Sequence, residues 1–383
     1  VKIAIPMEIR PDENRVALDP ESCRKLIQLG AEVALEAGAG ARAFFPDQAY
    51  QEAGVTLTAD AAKLLGEADF IAKVNAPLPR ADGSHEAELM RPGAILLASL
   101  FPTRNLDAVA RLAARGITAF STDCIPRTTR AQAMDTLSSQ ANIVGYKGVL
   151  LGAAALPKYF PMLMTAAGTT LQAKVFVIGC GVAGLQAIAT AKRLGAAVSA
   201  TDVRPEVKEQ IESVGGKYVG IELNQSAQAG GGYAAELSPE DKARQAGMLA
   251  NHCALVDMVI TTALIGGVVA PRLIDEGIVR SMRPGSVLVD LGADGGGNCT
   301  LSRLGETVTV GGVTLLAPLN LPATVPFHAS MMFSRNLLNF ITAFWNKPEA
   351  SFRLDWDDEL LKGCCVTRDG QVVHGPTLKA IQA

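Results

Sequence analysis

Val175-Phe176-Val177-Ile178-Gly179-Cys180-Gly181-Val182-Ala183-Gly184 decides how this chain folds. Four apolar residues of strand character run straight into Gly-x-Gly-x-x-Gly, and a helical pattern over Leu185–Leu194 follows. Strand, glycine turn and helix in that order are the context a dinucleotide-binding turn requires. Gly179 permits the tight turn, Gly181 lets the backbone approach a pyrophosphate, and Gly184 lets helix and strand pack closely. Amides at the helix N-terminus, with Val182 and Ala183 in its first turn, then hold the phosphates.

Asp202 ends the next strand, 18 residues beyond Gly184. A carboxylate there accepts hydrogen bonds from the adenosine ribose hydroxyls and repels a 2′-phosphate, so NAD(H) is expected over NADP(H). Arg204 lies two residues on and weakens that preference slightly; Val203 and Arg204 are placed with Asp202 in the expected contact. A second glycine cluster, Gly38-Ala39-Gly40-Ala41-Arg42-Ala43, also follows a strand. It lacks the third glycine and a clear following helix, and reads as a loop. The chain is therefore expected to hold one dinucleotide.

Outward from the turn, strand-like runs alternate with helical patterns, which argues for βαβ units and parallel sheets. Lys2–Pro6, Glu32–Glu36, Phe70–Val74, Ile95–Leu100 and Thr118–Ser121 form one set of expected strands. Lys174–Ile178, Ala197–Asp202, Lys217–Ile221, Met258–Thr262, Ser286–Asp290 and Thr314–Ala317 form a second. Between the sets, Arg130 to Leu156 reads as one long proline-free helix. Pro157, Phe160, Pro161 and the small-residue turn Ala166-Ala167-Gly168-Thr169 follow it at a domain junction. A second long apolar helix, Ala329 to Trp345, can return the chain to the first set. The expected architecture is α/β: two Rossmann-like doubly wound parallel-sheet domains bridged by long helices. The first domain is discontinuous, residues 1–140 plus 328–383, and residues 141–327 form the NAD(H)-binding domain. A cleft between such domains is a natural dinucleotide site.

Bulk properties narrow the function classes. The 383 residues suit two domains, and 19% charged residues leave enough apolar chain for large cores. A net charge of −3 without a basic run argues against a nucleic-acid partner. No apolar stretch reaches the roughly 18 residues that a bilayer span needs. The opening Val1-Lys2-Ile3-Ala4-Ile5-Pro6 reads as a strand and not as a signal peptide. Seven cysteines without regular spacing read as reduced thiols of a cytoplasmic protein. No Cys/His cluster has metal-ligand spacing, so no metal site is expected.

Further motifs carry a family resemblance. Ile5-Pro6-x-Glu8-x-Arg10-Pro11-x-Glu13-x-Arg15-Val16-Ala17, Lys73-Val74, the glycine turn and Met282-x-Pro284-Gly285-Ser286-Val287-x-Val289-Asp290-Leu291 stand in one chain. With them the sequence is similar, over essentially its whole length, to the alanine dehydrogenase and nicotinamide nucleotide transhydrogenase superfamily. Three stretches separate the branches. Pro126-Arg127-x-x-Arg130-Ala131-Gln132-x-Met134-Asp135-x-Leu137-Ser138-Ser139-Gln140 resembles the loop and helix of the NAD(H)-binding component of proton-translocating transhydrogenase. Thr165-Ala166-Ala167-Gly168-Thr169, with Gly184 to Gly195, is the second. Gly230-Gly231-Gly232-Tyr233-Ala234 resembles that component's mobile loop and is the third.

The resemblance implies roles. Arg127, Gln132, Asp135 and Ser138 would line the nicotinamide site, with Arg127 and Ser138 on the carboxamide and ribose side. Gln132 would sit where the donor ring meets the acceptor nucleotide of a partner, and Tyr233 would close over bound nucleotide. Thr262, Ala263 and Leu264 would border the cofactor, as would Asp294. NADP(H) would be bound on a partner domain, beside membrane subunits that move protons. This chain would be the NAD(H) subunit, a homodimer without a span of its own, peripheral at the inner face of the cytoplasmic membrane. Spaced three apart, Gln132, Asp135 and Ser138 would share one face at the start of the long helix. Hydride transfer between nicotinamides needs positioning and dryness, not an acid or base, and polar non-titrating groups suit it.

Two other readings compete. Amino-acid oxidation needs a base for the amine proton and an activated water. The alanine dehydrogenase branch carries a histidine where this chain has Phe101, and His85, His252, His328 and His374 lie elsewhere. Arg15 and Lys73, which would bind a substrate carboxylate and carbonyl in that branch, are both present; an inter-domain salt-bridge role is open to them too. Asp294 aligns with an acid of that branch, where glutamate is more usual in transhydrogenases, and otherwise reads as a polar residue of a glycine-rich loop. A non-catalytic NAD(H)-binding paralogue is the other reading, permitted by Gly266-Gly267-Val268-Val269-Ala270-Pro271, where the transhydrogenase pattern has Pro-Gly and a basic residue. His328-Ala329-Ser330-Met331-Met332-Phe333 also departs modestly from that pattern.

Overall fold

Alternate residues along the strands bury on opposite faces. In the first sheet Ile3, Ile5, Val33, Leu35 and Phe70 enter one core, while Ala4, Ala34, Ile71, Leu96 and Ala98 enter another. In the second, Val175, Val177, Met258 and Ile260 lie on one side and Phe176, Ile178, Val259 and Leu288 on the other. Strands covered on both faces need apolar side chains in both directions, which is why these segments read as continuous apolar runs. Helices supply the cover, and the fold is α/β with two Rossmann-like parallel sheets.

The computed structural model describes residues 1–221, 237–264 and 269–382. It divides into two compact units, Val1–Gln140 with Pro322–Ala383, and Ala141–Leu321. The first unit holds an eight-stranded sheet in the order Gln371–Val372, Cys365–Arg368, Thr118–Ser121, Ile95–Ser99, Phe70–Asn75, Lys2–Ile5, Glu32–Glu36, Thr56–Thr58. Its strands from the first 121 residues run parallel; Cys365–Arg368 joins antiparallel to Thr118–Ser121. Among its described residues the second unit holds a seven-stranded sheet in the order Lys217–Tyr218, Ala197–Thr201, Lys174–Ile178, Met258–Thr261, Val287–Asp290, Val313–Leu316, Thr307–Val310. There the chain winds outward from Lys174–Ile178 in one direction and then restarts beside it at Met258–Thr261. Such a switch point opens a crevice at the carboxyl ends of the two strands.

One expected element is corrected. Arg130 to Leu156 is not one helix: a 3₁₀ segment, Thr129–Met134, leads to Asp135, and the α-helix is Thr136–Ala155. Asp135 leaves helical geometry at φ −73° and ψ 92°, and its carboxylate accepts from the Ser138 amide at 2.8 Å and the Ser138 hydroxyl at 2.6 Å. A short acidic side chain that caps amides from outside a helix starts it there. At the other long helix the bounds are Pro326–Ala343, and Trp345 instead pairs in a small hairpin with Phe352. Ala166 and Ala167 turn a second hairpin between Leu163–Thr165 and Gly168–Thr170. No helix among the described residues is long and apolar enough to cross a membrane.

Candidate functional site

The glycine turn sits at the switch point of the second sheet, and each glycine has a separate reason. Gly179 follows strand Lys174–Ile178 at φ +87°, and a Cβ there would lie 2.8 Å from the Ala263 nitrogen. Gly184 lies on helix Val182–Arg193, where a Cβ would collide with the Gly179 carbonyl oxygen. Gly181 differs: it caps the helix from an extended conformation, and a Cβ on it would meet nothing within 4 Å. No side chain caps this helix start. A bare helix N-terminus beneath open space fits a phosphate-bearing ligand. The glycine cluster at Gly38 has no such opening, since a Cβ on Gly40 would strike Phe45 and Tyr50. That cluster ends in a one-turn 3₁₀ segment, Ala41–Ala43.

Thr262, Ala263 and Leu264 leave the neighbouring strand directly against this turn. The Thr262 hydroxyl donates to the Gly179 carbonyl at 2.7 Å. Buried Asn298 holds Ala263 from both sides, accepting from its amide at 3.1 Å and donating to its carbonyl at 2.9 Å. Asp290, fully buried, in turn accepts from the Thr261 hydroxyl and from the amides of Gly292, Asn298 and Cys299. Asn298 and Asp290 thus shape the loop, although no motif in the sequence assigned them a role. Their one legible signal is a buried-strand aspartate followed by a glycine-rich loop ending in asparagine. Asp294 stands exposed on that loop, in the 3₁₀ segment Ala293–Gly295. Tyr233 and Gly266 to Val268 lie outside the described residues.

Asp202 and Arg204 are locked together at the end of strand Ala197–Thr201. The Asp202 carboxylate takes the Arg204 amide and Nε at 2.9 Å each and Nη2 at 2.9 Å, and it accepts from the Cys180 amide at 2.7 Å. Val203, between them, is half-buried.

In the first unit, Arg127, Gln132, Asp135 and Ser138 all line one open cavity of about 440 Å³, with Pro126 and Thr129. They do not share the face of one helix. The loop delivers Arg127, the 3₁₀ segment Gln132, and the helix start Asp135 and Ser138. Arg127 and Gln132 are exposed, whereas Asp135 and Ser138 are half-buried and bonded to each other.

Arg15 and Lys73 are engaged inside this same unit, which corrects the inter-domain salt bridge allowed for them. Both Arg15 fork nitrogens meet Glu13 at 2.7 Å, and Nη1 donates to Gln140 at 3.0 Å. Lys73 is fully buried, 2.8 Å from Glu86 and 3.5 Å from Glu8. Burial opposes its charge, yet the two carboxylates outweigh that and raise its pKa. Phe101, 41% exposed and at φ +42°, presents only carbon where amino-acid oxidation would want a base. Three of the four histidines are bonded structurally: His85 to the Ala87 amide, His252 to Ser199 and His374 to Thr377.

Comparison with known proteins places these features. The model of the alanine dehydrogenase/PNT N-terminal domain matches residues 4–144, and that of the C-terminal domain matches residues 148–375. The first of the alpha-subunit polypeptides of the NAD(P) transhydrogenase of Rhodospirillum rubrum is 47% identical over 376 residues, 98% of each chain. The crystal structure of a transhydrogenase from Sinorhizobium meliloti superposes with a TM-score of 0.87 at 43% identity, covering 97% of this chain and all of that one. An L-alanine dehydrogenase structure gives 0.82 at 25% identity, over 100% of this chain and 99% of the other.

Proposed function

The chain belongs to the alanine dehydrogenase/PNT family, and we propose that it is the NAD(H)-binding component of a proton-translocating transhydrogenase. It passes hydride between NAD(H) held here and NADP(H) on a partner domain, while membrane subunits couple that transfer to proton movement. The observation that carries this reading is the convergence of Arg127, Gln132, Asp135 and Ser138 on one cavity. NADH supplies the hydride, and no proton need be taken or given by the protein. Arg127 and Ser138 hold the carboxamide and ribose side, and Asp135 fixes the Ser138 rotamer through the 2.6 Å bond. Exposed Gln132 faces the acceptor nucleotide. Positioning alone can supply up to about 7–11 kcal/mol of barrier reduction, which is why the transfer needs no general acid or base from the protein. The turn closed by Gly179 and Gly184 receives the pyrophosphate at Gly181, with Val182 and Ala183 in the first helical turn.

Resemblance further supports a homodimer, attached peripherally at the inner face of the cytoplasmic membrane through its partner subunits. Amino-acid oxidation is disfavoured, because Arg15 and Lys73 are already held by carboxylates and Phe101 offers no base. Mixing the chain with the NADP(H)-binding domain of a transhydrogenase and NADH tests the proposal, with pyruvate plus ammonium as a parallel reaction. Transfer to NADP⁺ should require the partner domain and drop by about ten- to a hundredfold in Gln132→Asn. NADH oxidation by pyruvate and ammonium without transfer would reassign the chain to the amino-acid dehydrogenases. NADH binding with neither activity would make it a non-catalytic paralogue.

A further inference from the structure

We propose that Asn336, on the buried face of helix Pro326–Ala343, is a positioning residue for hydride transfer, whose amide sets the spacing of Gln132 and Ser138 in the cavity of the first unit. This rests on the hydride-transfer site proposed above. Asn336, Ala133 and Ser139 are not among the residues lining that cavity, but Ala133 directly follows Gln132 and Ser139 directly follows Ser138. The Asn336 amide nitrogen donates to the Ala133 carbonyl at 2.8 Å, and its Oδ1 accepts from the Ser139 hydroxyl at 2.7 Å. One side chain therefore bridges the 3₁₀ segment Thr129–Met134 and the start of helix Thr136–Ala155. All three residues belong to the first unit.

Between those two segments Asp135 leaves helical geometry, which interrupts the regular backbone ladder that would otherwise fix one against the other. The bridge acts at that joint. A carbonyl can only accept, so the Asn336 amide nitrogen must face Ala133, and its oxygen is left for Ser139. The Ser139 hydroxyl also lies 3.1 Å from the Thr136 carbonyl, and the contact to Asn336 is the shorter. Asn339, three residues along the same helix, donates to the Ala133 carbonyl as well, at 3.0 Å, so that carbonyl keeps a partner when Asn336 is replaced. Asn336 shares its helix face with the buried rings of Phe333 and Phe340. Burying an amide among apolar groups costs free energy unless its polar atoms are paired, and here both are. Arg130, ahead of Gln132, is held separately by Asp358 at 2.6 Å. Gln132 is thus fixed from both sides, by Asp358 through Arg130 and by Asn336 through Ala133. A misplacement of about 1 Å can cost about a hundredfold in rate, which is the leverage such a bridge has over hydride transfer.

Single-turnover hydride transfer from saturating NADH to NADP⁺ on the partner domain tests the assignment, with NADH affinity and urea unfolding measured on the same chains. Asn336→Leu keeps the volume and removes both bonds. It should slow transfer by about ten- to a hundredfold while NADH affinity stays within about threefold. Ser139→Ala removes one arm of the bridge and should slow transfer by about three- to tenfold, which keeps the test decisive if Asn336→Leu fails to fold. In a Gln132→Asn background, Asn336→Leu should cost less than it does alone by a factor of about three or more, because a positioning residue acts through the group it positions. Thr367→Val loses a buried hydrogen bond elsewhere in this unit and should lower the urea midpoint without slowing transfer. Transfer at the wild-type rate in Asn336→Leu, or in Ser139→Ala if only that variant folds, overturns the proposal. So does slowing that multiplies in full with that of Gln132→Asn, or that Thr367→Val reproduces, since either marks a general loosening of the unit. A wild type that transfers no hydride overturns the function proposed above, and this assignment with it.

Discussion

Glu13 shows how single residues in the first unit are held in charge. Burial alone would lift its carboxyl above the ordinary 4.5, but the hydrogen bonds and charge of Arg15, helped by Asn75, bring it down to about 2. A carboxyl whose pKa is depressed on folding stabilises the protein above its unfolded value, and that stability is lost as pH falls through the folded one. Glu13→Gln should therefore cost on the order of 3 kcal/mol at pH 7. The cost should shrink between pH 4.5 and about 2, measured by urea unfolding across that window. Equal costs at pH 3 and pH 7 would show that the pair does not set this carboxyl. Glu8 acts with the opposite sign. Burial raises its pKa, so its contribution is present at low pH and fades as pH rises through the folded value. The pairing was not legible beforehand. Glu13 and Arg15 are two residues apart in sequence, but which acid Lys73 meets depends on Glu8 and Glu86 arriving from other segments.

Elements expose the difference between a glycine needed for packing and one needed for a ligand. Gly184→Ala pushes a methyl into the Gly179 carbonyl, parting helix Val182–Arg193 from its strand, and should destabilise by about 3 kcal/mol or more. Gly181→Ala meets open space in an extended conformation and should change stability by less than about 0.5 kcal/mol. It should nevertheless cost about tenfold or more in NADH affinity, by putting a methyl where the backbone must approach the pyrophosphate. Thermal melts with NADH titrations separate the two; a stable Gly181→Ala chain that binds NADH normally would remove this turn from the site. Helix Thr136–Ala155 carries a second glycine set. A Cβ on Gly145 would collide with the Ala183 carbonyl, on Gly148 with Leu291, and on Gly152 with Met258. Spacings of three and four put these on one face, so the helix lies close against the second sheet and braces the glycine turn. The spacing is visible in the sequence, but what it packs against is not.

At the scale of the whole molecule, the chain's last segment completes the first sheet. Strand Cys365–Arg368 pairs with Thr118–Ser121, Val366 is fully buried, and the Thr367 hydroxyl donates to the Ile117 carbonyl at 2.8 Å. Deleting residues 365–383 opens that edge and should cost at least about 2 kcal/mol in the first unit. Both tryptophans, Trp345 and Trp356, belong to this unit, so the fall in the urea midpoint is readable by their fluorescence. An unchanged midpoint would make the C-terminal pairing dispensable. Continuous apolar runs and the strand–glycine–helix order determined the two sheets and the tight glycine turn between strand Lys174–Ile178 and helix Val182–Arg193 from sequence alone. Those features are local: they depend on side-chain period, backbone freedom at glycine and spacing along the chain. Tertiary structure alone decided that Asp135 starts the long helix, that Arg127 and Gln132 reach its cavity from separate segments, and that Asp202 commits its carboxylate to Arg204 and the Cys180 amide. A buried polar group takes its role from the partners that desolvation forces upon it, and those partners are set by the fold rather than by the order of residues.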